Sequence, residues 1–116
     1  MKEESRRQKK IGSLLLEALS RILIQELLGV TTALVTVTRV DVPADLKTAH
    51  VFLSVFGTDD PAPIFAHLEQ RTGFIRKRLA STVKLKYNPM LFFSLDPTAD
   101  MSERIDRLLR TTKTNG

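Results

Sequence analysis

From Ile11 to Leu28 apolar residues return at helical spacing, with Ile11, Leu14, Leu15, Ala18, Leu19, Ile22, Leu23 and Leu27 forming one stripe before Gly29 supplies a stop. Directly afterwards the segment Ala33 to Val42 turns to Val and Thr, whose branched side chains suit a pleated strand better than a helix. A chain of 116 residues has room for one hydrophobic core and not for two, so this helix and the strands after it must share it. That change of period places the chain in the α+β class. The helix face opposite the stripe, Glu17, Arg21, Gln25 and Glu26, is expected to be solvated, with Leu16 and Ile24 widening the apolar side.

Val35 and Val37 share one parity, and Val40 and Val42 the other. Two alternatives follow: a bulge near Arg39, or two partly covered faces. Pro43-Ala44-Asp45 signals a turn, and the run Ala49 to Phe56 sets Val51, Leu53 and Val55 against His50, Phe52, Ser54 and Phe56. The two runs read as an antiparallel pair. Asp59 and Asp60 are placed to cap a helix that tolerates Pro61 in its first turn, with Ile64, Phe65 and Leu68 as its apolar face. Gly73 marks a kink or a close backbone approach, because glycine inside a helix costs up to about 1 kcal/mol relative to alanine. Phe74, Ile75 and Leu79 resume helical spacing, and Val83 to Leu95 has strand chemistry that Pro89 confines to an edge, a bulge or a turn. Met101, Ile105, Leu108 and Leu109 predict a last short helix before a polar tail. The expected order is α-β-β-α-kink-α-β plus that helix, divided as a basic N-terminal arm (1–10), a domain (11–98) and a C-terminal helix with its tail (99–116).

The sequence has no cysteine, which removes disulfides, thiolate metal sites and Cys nucleophiles. His50 and His67 stand outside any paired-ligand spacing, and each reads as structural rather than catalytic. Nucleophile-elbow, P-loop and dinucleotide fingerprints do not occur. The expectation is a binding protein with no metal or cofactor, not an enzyme. Charged residues make up 27% of the chain, and no apolar run approaches the roughly 18 residues of a membrane span. The start Met1 to Arg7 lacks the pattern of a secretory signal, so a cytoplasmic protein with no membrane partner is expected.

The net charge is +5, and its location matters more than its size. Residues 71–86 contain Arg71, Arg76, Lys77, Arg78, Lys84 and Lys86 and no carboxylate, while the other 100 residues carry 12 basic against 13 acidic side chains. A one-sign stretch of this kind repels itself unless a polyanion neutralises it. With Ile75 pointing inward at about 100° per residue, Leu79 falls beside it, Arg76 and Arg78 fall on opposite flanks, and Lys77 points away. Lys84 and Lys86 alternate with Val83 and Leu85 and are expected to share one face of a strand. Arginine forks two donors onto a phosphate, which favours Arg76 and Arg78 for oriented contacts. Arg6, Arg7, Lys9 and Lys10 offer a flexible second contact or a merely solvated tail. The six phenylalanines all lie in core-type runs, so no base-stacking platform is expected and recognition of folded RNA by backbone and shape is favoured.

One stretch, Gly73-Phe74-Ile75-Arg76 followed by Leu79, Lys84-Leu85-Lys86, Pro89, Leu91, Phe92-Phe93 and Asp96, resembles the ribosome-binding factor A family, as does Val35 to Val40 with Asp45-Leu46 and Ala49-His50-Val51. The resemblance covers about residues 6–96. It implies a type II KH-like domain, a three-stranded sheet with helices packed on one face, in which a kinked Ala-x-Gly junction replaces the G-x-x-G loop. Here the junction reads Arg71-Thr72-Gly73, so Arg71 stands where the family has a small residue and brings a positive charge to the kink. It also implies a factor, monomeric when free, that binds 16S rRNA in the free or immature 30S subunit. Its expected role is in late maturation, including 5′-end processing, and in growth in the cold, without being a nuclease. The competing reading is a basic adaptor domain docking on an acidic protein.

Overall fold

The computed structural model describes residues 5–98. Helix α1 (Arg6–Glu26) starts five residues before the expected Ile11, so the basic positions taken for a flexible arm are helical. A capping box explains the early start. The Gln8 amide donates to Ser5 Oγ at 3.1 Å, and the Ser5 amide donates to Gln8 Oε1 at 3.0 Å. Gln8 Nε2 also donates to the Val42 carbonyl at 2.9 Å, which ties this end of the helix to the sheet. At the other end Gly29 takes a φ of 78°, a left-handed conformation suited to glycine after a helix.

Strands β1 (Leu34–Asp41) and β2 (Thr48–Phe56) pair antiparallel, and their register shifts between Val37 and Arg39. The bulge resolves the parity conflict of the valines: Val37 and Val40 both reach the core although they are three residues apart. Helices α2 (Ala62–Gln70) and α3 (Thr72–Thr82) then cross the sheet, and β3 (Met90–Leu95) returns to pair parallel with β2. The strand order is β1-β2-β3. Pro61, not Asp59 or Asp60, is the N-cap of α2 and makes no side-chain cap hydrogen bond, because the helix begins one residue later than expected; Asp60 Oδ1 accepts from the Ala62 amide at 3.1 Å.

One core lies between the helices and one sheet face. Leu15 and Leu19 from α1, Val51 and Leu53 from β2, Leu68 from α2, and Ile75 and Leu79 from α3 are all completely buried. Each such side chain contributes about 1.5–3 kcal/mol relative to its exposed state. Ile75 and Leu79 point inward as their spacing predicts. Among the described residues, no helix covers the opposite sheet face.

Three further expectations change. Residues 83–89 are loop rather than strand, because Pro89 has no amide to donate and Arg76 holds the carbonyls of Asn88 and Pro89 out of any ladder. Glu26 is not solvated: its side chain is 6% exposed beneath Arg71 and His67. The kink falls at Arg71 (φ −98°, ψ 6°), while Gly73 sits within α3 with no atom within 4 Å of where a Cβ would be, so it is not a point of close approach. The close approach is at Gly12, where a Cβ would lie 2.9 Å from the Val40 carbonyl oxygen. The expected C-terminal helix and tail lie outside the described residues.

Candidate nucleic-acid interface

Helix α3 carries three consecutive cations, and its packing gives them different tasks. Arg76 donates through Nε to the Pro89 carbonyl at 2.9 Å and through Nη2 to the Asn88 carbonyl at 2.8 Å. Asn88 Nδ2 returns a bond to the Arg76 carbonyl at 3.1 Å. Arg78 Nη2 donates to Gln25 Oε1 on α1 at 2.6 Å. Lys77 projects between these two arginines into solvent. The flanking positions expected from helical geometry are therefore correct, but both arginines are spending donors on the fold.

Arg71 is a third example. Its Nε donates to Glu26 Oε1, and its guanidinium lies 4.3 Å from the centroid of the Phe74 ring. The positive charge that departs from the small-residue pattern at the kink is thus matched by a carboxylate from α1. His67 Nε2 lies 3.6 Å from the same Glu26 oxygen. Phe74 remains 44% exposed beside the kink.

The lysines keep their ammonium groups in water. Lys84 and Lys86 are exposed on the 83–89 loop, next to Tyr87, whose ring centroid lies 5.5 Å from Lys86 Nζ. Arg7 and Lys86 line one small cavity together with Ile11, Val42 and Leu46, so the start of α1 and the basic loop are neighbours. Arg6, Arg7, Lys9 and Lys10 are all exposed on the first turns of α1, where no acidic residue complements the positive end of the helix. Cations at a helix N-terminus are unfavourable by a few tenths of a kcal/mol each, up to about 1. A bound phosphate would relieve that repulsion.

The open sheet face holds what the sequence reading missed. His50 and Phe52 stack with centroids 4.6 Å apart at 10°, the Arg39 guanidinium lies 4.2 Å from the Phe52 centroid, and Phe92 is 52% exposed. Assigning every phenylalanine to the core was therefore wrong for Phe92 and Phe74. Alternation in β2 already set His50 and Phe52 opposite Val51 and Leu53. The preference of phenylalanine for cores obscured the consequence that this second row faces water. Lys47, exposed at the hairpin, was also missed; its carbonyl accepts from the Met90 amide at 2.9 Å, which places it at the start of β3.

Comparison with known proteins decides the family. The family model for ribosome-binding factor A matches residues 7–109. The chain belongs to the ribosome-binding factor A family. Ribosome-binding factor A of Halothermothrix orenii is 34% identical over 108 residues, covering 92% of this chain and 88% of that protein. The Rhodopseudomonas palustris protein is 40% identical over 112 residues, covering 92% and 82%. The crystal structure of ribosome-binding factor A from Thermus thermophilus matches with a TM-score of 0.63 over 76% of this chain and 94% of that one. A homology model of the Thermus thermophilus factor, fitted into a cryo-EM map of its complex with 30S, gives 0.56 over 73% and 94%. Both structures are 23% identical to this chain, so the likeness carries the fold alone. That fold is the KH-like one: a ribosome-binding factor A domain with three helices against one face of a three-stranded mixed sheet.

Proposed function

We propose that this protein is a non-catalytic ribosome-assembly factor of the cytoplasm that binds 16S rRNA in the free or immature 30S subunit. It assists late maturation, including processing of the 5′ end, and supports growth in the cold. The observation that carries this reading is the set of exposed cations, Lys77, Lys84 and Lys86 with Arg6, Arg7, Lys9 and Lys10, which remain in water while their neighbours Arg71, Arg76 and Arg78 bond the fold. Family membership supports it, and the Thermus thermophilus relative has been fitted into a 30S complex. Lysine and arginine side chains that stay in water are those able to release counterions from a phosphate backbone. A factor that contacts one arrangement of the rRNA better than another shifts its population by that difference in affinity.

The test is a sucrose-gradient profile of the tagged full chain. Enrichment on free 30S particles, lost when Lys77, Lys84 and Lys86 are changed to Glu, supports the assembly role; sedimentation mainly with translating 70S ribosomes overturns it. The adaptor reading draws on the same charges; structured 16S rRNA added in competition displaces bound rRNA from the basic surface and spares an acidic protein docked elsewhere.

A further inference from the structure

We propose that the open face of the sheet around Phe92 and His50 holds unpaired RNA bases by stacking, beside the cations that hold the backbone. The proposal rests on the RNA-binding reading and adds a second surface with a different ligand chemistry. On this face β2 presents Thr48, His50 and Phe52, β3 presents Met90, Phe92 and Ser94, and β1 presents Arg39 and Asp41.

His50 and Phe52 are held before any ligand arrives. His50 Nε2 is 2.8 Å from Ser94 Oγ, and the same imidazole lies flat against Phe52, whose ring is in turn covered by Arg39. An aromatic surface already fixed in orientation loses little rotamer freedom on stacking, which is why such platforms suit single-stranded nucleic acid. At the far end of the sheet the surface closes, where Thr38 Oγ1 at the bulge donates to Asp96 Oδ2 at 2.6 Å and Ser54 is buried. At the near end it stays open as a hollow of about 480 Å³ lined by Asp41, Val42, Pro43, Thr48, His50 and Phe92.

Two features select a base rather than a phosphate for that hollow. Asp41 contributes a carboxylate whose Oδ2 is paired with Arg39 Nε at 3.2 Å, so no unmatched cation lines the hollow to draw in a phosphate, while Oδ1 can accept from the exocyclic amino group of a base. Phe92 contributes a ring face, which attracts any base and has no affinity for a phosphate. The cations lie next door. Val42 lines both this hollow and the cavity that Arg7 and Lys86 share, and Lys47 is bonded through its carbonyl to the first residue of β3. A strand of RNA laid across the hairpin end would therefore place its backbone on Arg7, Lys47 and Lys86 and its bases on Phe92 and His50.

The test measures the affinity of the full chain for a short unstructured RNA oligonucleotide and for an RNA duplex of the same length, using Phe92→Leu, Phe92→Ala and the Lys77→Glu/Lys84→Glu/Lys86→Glu triple variant, with thermal melts confirming folding. Phe92→Leu keeps an apolar side chain on the strand and removes only the ring, so it guards against a folding defect in Phe92→Ala. The expected result is a loss of about five-fold or more in oligonucleotide affinity for both Phe92 variants, with duplex affinity unchanged. Unchanged oligonucleotide affinity in Phe92→Leu, with binding lost in the triple variant, overturns stacking and leaves the RNA reading intact. An equal loss for oligonucleotide and duplex also overturns stacking. Failure of the unaltered chain to bind either RNA overturns both readings. If Phe92→Leu loses 30S particles but not the oligonucleotide, the face takes a ribosomal protein and the proposal falls.

Discussion

Arg71 and Glu26 join the kink between α2 and α3 to the last turn of α1, the guanidinium donating to a carboxylate that is 6% exposed. Helix α1 is thereby tied to the two later helices at the point where the chain changes direction. Arg71→Ala would leave the Glu26 carboxylate buried with only His67 near it. Because Arg71 is itself 42% exposed, the expected loss is about 2 kcal/mol, below that of a fully buried pair. Chemical denaturation measures it. The double variant Arg71→Ala/Glu26→Gln should be more stable than Arg71→Ala alone, since the uncompensated charge has gone; equal stability would show that the pair adds nothing.

Arg76 and Lys77 should separate stability from binding. Arg76→Lys cannot reproduce a fork onto the Pro89 and Asn88 carbonyls, so it should lower stability by about 1–2 kcal/mol and speed proteolysis of the 83–89 loop. Lys77→Ala should change stability by less than about 0.5 kcal/mol and weaken RNA binding. Melting curves and RNA titrations on the two variants check this, and a matching loss of stability in both would contradict the division of labour.

Gly12→Ala should destabilise the protein although alanine is the better helix former. The gain in propensity, at most about 1 kcal/mol, is set against backbone contact with Val40 that costs about 1–3 kcal/mol. Gly12→Val should cost more, and Gly73→Ala should stabilise or be neutral, because its Cβ meets open space. Denaturation midpoints rank the three.

RNA affinity should fall with salt, with a log-log slope of about −0.7 to −0.9 for each phosphate neutralised. Each of Lys77→Ala, Lys84→Ala and Lys86→Ala should flatten that slope by about one such step. Titrations at several salt concentrations read it directly, and a slope near zero would mean the exposed cations do not touch RNA.

The element order, the hairpin and the inward direction of Ile75 and Leu79 were readable because each follows from a local period. What escaped was decided by partners distant in sequence. Glu26 looks solvated until Arg71 arrives from 45 residues away, and Lys84 and Lys86 look like strand until Arg76 takes the carbonyls beyond them. The Ser5–Gln8 capping box was present in the sequence, and recognising it would have started α1 at Arg6. The outward row of β2 was visible as alternation too, yet only the layering of helices on a single side shows that Phe92 and His50 face water.

The parallel pairing of β2 with β3 also sets the order in which the molecule can be assembled. The β1–β2 hairpin closes over a short turn, whereas β3 can join only after residues 57–89 have formed their crossover, a non-local closure that is entropically costly until it is complete. Phe92 meets His50 only when that crossover closes. A peptide spanning residues 71–86 would carry all six cations of that segment, with no Glu26 for Arg71 and no Asn88 or Pro89 for Arg76. It would present all six to any polyanion, whereas the folded chain engages Arg71, Arg76 and Arg78 in its own hydrogen bonds.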